Sequence, residues 1–94
     1  MIKLRNATNG TVSLTTASQQ ILAVNEFRKR AIIVNGSDVG VWLSFNATAV
    51  IGTGIYLAPN CGSFEIDPEE IYTAAIHGIA ASGAGKIVGT VEFY

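Results

Sequence analysis

Short apolar runs, each cut off by a cluster of Gly, Asn, Ser or Asp, recur along this chain, and no apolar pattern continues at helical spacing for three turns. Runs rich in β-branched and aromatic residues, punctuated this often, read as the short strands of an all-β sandwich or barrel. The spacing predicts strands at 2–5, 11–15, 20–24, 29–35, 39–45, 53–58, 62–66, 71–77 and 86–93. "ASQQILAV" admits a helix, but its β-branched neighbours favour a strand. "AIHGIAASGAG" carries the weakest signal, fitting either a flat strand followed by a loop or a short helical turn. The expectation is an all-β fold: a small antiparallel β-sandwich, jelly-roll or Ig-like, of about eight short strands. Residues 1–94 read as a single domain without repeat or linker, with 1–10 as an extended arm.

Alternation assigns faces to the clearest strands. In "VGVWLSF", Val41, Leu43 and Phe45 point one way while Trp42 and Ser44 point the other. In "KIVGTVEFY", Ile87, Val91 and Phe93 share a face with Gly89, opposite Val88, Thr90, Glu92 and Tyr94. Phe64 and Ile66 alternate with Ser63, Glu65 and Asp67. On this reading Trp42, Val88 and Tyr94 fall on faces that meet water. They then mark a partner surface, or lie under a second sheet or a covering loop. The Asn-Gly pair of "VNGSDVG" predicts a hairpin between two of the strongest strands, and "SGAGK" reads as another hairpin turn.

Only 14% of the 94 residues are charged while 49% are hydrophobic, against about 25% charged in typical globular domains. A domain this small has a high surface-to-volume ratio and needs charged surface most. The shortage points to surface that faces other protein, and so to an oligomer or an assembly subunit. The net charge of −1 provides no global field toward DNA or anionic lipid. Cys61 is the single cysteine and has no intramolecular disulfide partner. No signal peptide or membrane-spanning apolar run is evident, so synthesis in the cytoplasm is expected. Asn-x-Ser/Thr triplets begin at Asn6, Asn9, Asn35 and Asn46; they read as turn chemistry rather than glycosylation sites.

The search for chemistry finds no cofactor site. His77 has no Cys, His or acidic residue at ligand spacing, whereas a metal site needs three or four convergent ligands. Asp67, Glu69 and Glu70 flank Pro68 and read as an exposed charged turn without a calcium-loop pattern. "SGAGK" lacks the first glycine, the hydroxyl residue and the following helix of a phosphate-binding loop. No nucleophile elbow is present. The expected class is therefore non-enzymatic.

The triplet Arg28-Lys29-Arg30 holds half of the basic residues. In a regular strand Lys29 faces away from Arg28 and Arg30, which breaks up any nucleic-acid patch. Nucleic acid is thus disfavoured as a partner, and a solvated strand start or docking on an acidic protein surface remains. The residues expected at a partner surface are Lys3, Arg5, Arg28, Arg30, Trp42 and Tyr94.

The order of segments adds a resemblance. "RKRAIIVN" leads into the turn "GSD" and the strand "VWLSF". Ala47-Thr48-Ala49, "GTGIYL", "GSFEI" and "YTAAIHGIAASG" follow, and "VEFY" closes the chain. This layout, over residues 11–94, resembles small tailed-phage virion proteins of sandwich or jelly-roll type: capsid decoration (cement) or head-fibre subunits. The resemblance implies a homotrimer on the outer capsid surface that binds the major capsid protein and stabilises the shell, with no membrane partner. Its alternative is a head-fibre or tail-associated module that binds host glycans through Trp42 and Tyr56. A third reading is a small barrel gripping single-stranded nucleic acid.

Overall fold

The computed structural model describes residues 6–67, 69 and 71–94. Eight strands run in the order β1 (Ala7–Leu14), β2 (Gln19–Leu22), β3 (Arg30–Asn35), β4 (Val41–Phe45), β5 (Ile55–Leu57), β6 (Gly62–Ile66), β7 (Ile76–Ala80) and β8 (Lys86–Phe93). They build two four-stranded antiparallel sheets: sheet A, ordered β1-β8-β3-β6, and sheet B, ordered β2-β7-β4-β5. The pairing is nested: first strand with last, second with seventh, third with sixth, fourth with fifth. Successive nested pairs fall in alternate sheets, as when one long antiparallel ribbon is wrapped around a core. That is the jelly roll, and it differs from the Ig-like sheet pattern.

The nesting decides where the turns go. β3 lies in sheet A and β4 in sheet B, so residues 36–40 cross between sheets instead of closing the expected hairpin. Residues 81–85 likewise carry the chain from β7 in sheet B to β8 in sheet A. Turn residues report that the chain reverses, but not which sheet the next strand joins. The connections 15–18, 36–40, 58–61 and 81–85 gather at one end of the sandwich. The connections 23–29 and 46–54, and residues 71–75 ahead of β7, lie at the other end.

The core lies between the sheets. Sheet A contributes Leu14, Ala31, Ile33, Ile66 and Val88; sheet B contributes Ile21, Leu22, Val41, Leu43, Leu57, Ile76 and Ala80. In β2 the register shifts between Gln20 and Leu22, and consecutive Ile21 and Leu22 are both buried. Gly78 on β7 leaves the room this needs: a Cβ there would sit 2.3 Å from Ile21 Cδ1. At one edge of the core Phe45 meets Phe64 of the opposite sheet and Tyr72, edge to face, at 5.4 and 5.3 Å between centroids, a favoured aromatic geometry.

Several expectations change. Residues 7–10, expected in an arm, belong to β1, while the strand expected at 2–5 lies outside the described residues. The strand expected at 71–77 runs over 76–80. Most consequential is β8: its core face carries Val88 and Thr90, both buried, whereas Ile87 on the other face is 45% exposed. Both faces of β8 are apolar enough to be core, so alternation separates them without ordering them. Val88 therefore belongs to the interior, and Ile87, Val91 and Phe93 lie on the outside of sheet A.

Candidate interaction surfaces

The basic triplet divides between inside and outside. Arg28 precedes β3, in a turn closed by its own N–H donating to the Asn25 carbonyl (3.1 Å), so strand alternation does not reach it. The residue is only 1% exposed. Nε donates to Glu92 at 2.6 Å, Nη1 to the carbonyls of Tyr72 (2.8 Å) and Ala74 (3.1 Å), and Nη2 to the carbonyl of Ala23 (2.7 Å). The planar guanidinium fork suits such simultaneous donation. Arg28 thus clamps the β2–β3 connection, the β6–β7 connection and β8 together, helped by the Asn25 N–H donating to the Thr73 carbonyl at 2.9 Å. The docking role expected for Arg28 is corrected: the side chain is an internal tie and reaches no partner.

Arg30 faces out of sheet A. It pairs with Glu65 at 2.5 Å and lies 5.8 Å from the centroid of the Phe93 ring. The triplet therefore presents no shared basic patch. The Tyr94 hydroxyl is 2.7 Å from Thr8 Oγ1. Trp42 lies on the outside of sheet B, half-buried beside Tyr56, with ring centroids 4.9 Å apart. Arg30 and Trp42 are thus on opposite outer faces and form no common site. Lys3, Arg5, Pro68 and Glu70 lie outside the described residues.

The two outer faces differ. Over sheet B, the Ala49 amide in the β4–β5 connection donates to Ser18 Oγ at 2.8 Å, just before β2. Strand β7 separates β2 from β4, so this connection must cross β7. Ile79, on the outside of β7 opposite Trp42, is accordingly only 7% exposed. The connection thus covers the β7 part of this face, whereas Trp42 is half-buried and Tyr56 beside it stays exposed.

Among the described residues, no comparable cover lies over sheet A. Ile32 stands opposite Val91, Val34 opposite Gly89 and Arg30 opposite Phe93; Ile32, Val34, Val91 and Phe93 are partly exposed, and Ile87 more so. Together they make an apolar strip along the two central strands, flanked by Asn9, Thr11 and Ser13 of β1 and by Ser63 and Glu65 of β6. An apolar sheet face rimmed by polar residues is the kind of surface proteins use to bind one another. The alternation of β8 already contained this strip, on the face first read as core. A second exposed apolar group, Val24, Phe27 and Ile71, sits on the two connections that Arg28 clamps.

At the opposite end, Asn35 organises the turns. Fully buried, it donates through Nδ2 to the carbonyls of Val39 (2.8 Å), Leu57 (3.1 Å) and Ala58 (3.1 Å), while Oδ1 accepts from the Ser37 amide and hydroxyl. This triplet asparagine is structural and out of reach of glycosylation. Among the described residues no cavity opens, no three His, Cys, Asp or Glu converge on a metal position, and no helix is long and apolar enough to cross a membrane.

Compared with known proteins, the chain matches no family model, no curated sequence and no solved structure.

Proposed function

We propose that this protein is a non-catalytic structural subunit of a tailed-phage virion that docks on the outer surface of the capsid and stabilises it. The observation that carries the reading is the apolar strip Ile32, Val34, Ile87, Val91 and Phe93, which no described residue covers, on a jelly roll whose other outer face is crossed by its own β4–β5 connection. The low charge content and the segment order described above support it. Each copy buries a modest strip against the major capsid protein, and linked copies turn modest contacts into strong retention.

The test uses capsids that lack the protein. Added back, it should bind stoichiometrically and raise the capsid melting temperature. Ile32→Lys/Val91→Lys places two like charges opposite each other on the strip; it should lower capsid affinity at least tenfold while the isolated protein still melts cooperatively. Capsids that neither bind the protein nor gain stability would sink the reading.

One observation favours a second reading, glycan recognition by a head-fibre or tail module. Tyr56 is 49% exposed, packs at a tilt of 51° against Trp42, and lies over Gly40, where a Cβ would come within 2.3 Å of its ring. Aromatic rings held this way suit the apolar faces of sugars. A glycan array that responds to the wild type, and goes silent with Tyr56→Ala, would favour this reading.

A further inference from the structure

Sheets are finite, and their edge strands carry backbone donors and acceptors that invite another strand unless something blunts them. Three of the four edges here are blunted. β5 is only three residues long. β2 has four residues and a register shift. β6 carries Glu65, ion-paired with Arg30. β1 differs: eight residues long, unbroken in register against β8, largely exposed, and without a charged residue, a proline or a bulge.

Its free groups can be assigned. Asn6 and Tyr94 exchange both backbone hydrogen bonds, at 2.8 and 2.9 Å. In an antiparallel ladder, hydrogen-bonded and non-bonded pairs alternate. Thr8, Gly10, Val12 and Leu14 therefore bond to β8, while Ala7, Asn9, Thr11 and Ser13 direct N–H and C=O away from the sheet. None of these outward groups meets a partner among the described residues.

We propose that this edge binds a second copy of itself, joining two A sheets across a two-fold axis at Gly10. An antiparallel pair centred there sets Ala7 opposite Ser13 and Asn9 opposite Thr11, each twice. Every outward N–H and C=O from 7 to 13 then meets an outward group of the other copy. A strand of another protein would satisfy the backbone too, but this register is self-complementary, as a two-fold interface requires. An uncharged strand also sets no like charges against its own copy. At the axis Gly10 meets Gly10, so no side chains collide where the strands come closest. The product is one eight-stranded sheet with two apolar strips on the same side. A two-fold pair differs from the trimer implied by the resemblance, so particle mass separates them.

Light scattering on the purified chain across a dilution series should give twice the monomer mass, falling toward the monomer on dilution. Asn9→Lys/Thr11→Lys puts lysines opposite each other across the axis and should be monomeric with an unchanged cooperative melt. So should Asn9→Glu/Thr11→Glu. Mixing the two variants should restore a mixed pair in native mass spectrometry, because only opposed strands convert like charge to opposite charge. A wild type that is monomeric throughout, a trimer, or a double-mass particle that survives the lysine substitutions would overturn the proposal.

Discussion

At the scale of single residues, Arg28 changes meaning most between sequence and structure. An arginine in a basic triplet reads as surface, because charged residues are seldom buried unless paired. Nothing local to the triplet reveals that its partners lie at Ala23, Tyr72, Ala74 and Glu92. Those contacts arise only when two connections and the last strand converge, so the role was not legible in advance. Arg28→Ala removes one partner of a buried pair and leaves three carbonyls without their donor; it should destabilise the fold by about 3–5 kcal/mol, read by chemical denaturation. Arg30→Ala removes a surface ion pair and should cost less than about 1 kcal/mol. Equal losses from the two substitutions would contradict the assignment of inside and outside.

Elements show a different mixture. β3, β4, β6 and β8 were readable because β-branched and aromatic residues alternate along them. The bounds of β7 are hard to read because Gly78 and Ala80 give little pattern; Gly78 is there to admit Ile21, a requirement set by another strand. The β5–β6 turn holds strain that the sequence does not announce. Asn60 and exposed Cys61 both take positive φ, at 58° and 88°, a region that β-carbons disfavour. Cys61→Gly removes that penalty and should stabilise the protein by about 1 kcal/mol after the added freedom of the unfolded chain is deducted. For a domain of this size the melting temperature should rise by roughly 4–8 °C. A lowered melting temperature would show that the thiol packs more favourably than its backbone suggests.

For the whole molecule, the class of fold was legible and the topology was not. Counting short punctuated strands leads to a sandwich, but which strands pair depends on partners up to the full length of the chain apart. Ala7 faces Phe93 and Arg30 faces Phe93 from the other side, so β8 pairs with two strands that lie far earlier in the sequence. Closing such long loops before contacts reward them slows folding. Refolding by stopped-flow should therefore take milliseconds to seconds, as in other all-β domains; completion in microseconds would contradict so non-local a set of pairings. The surface strip was visible as one face of β8, but deciding that it looks outward required the other sheet.

The reciprocal hydrogen bonds between Asn6 and Tyr94 fix two points of the chain side by side, with α-carbons about 5.5 Å apart in such a pair. Whatever is fused ahead of Asn6 and whatever is fused after Tyr94 must emerge together, from the end of the sandwich opposite the Asn35 knot. Two different epitopes, one grafted to each side, would be presented side by side at a single spot.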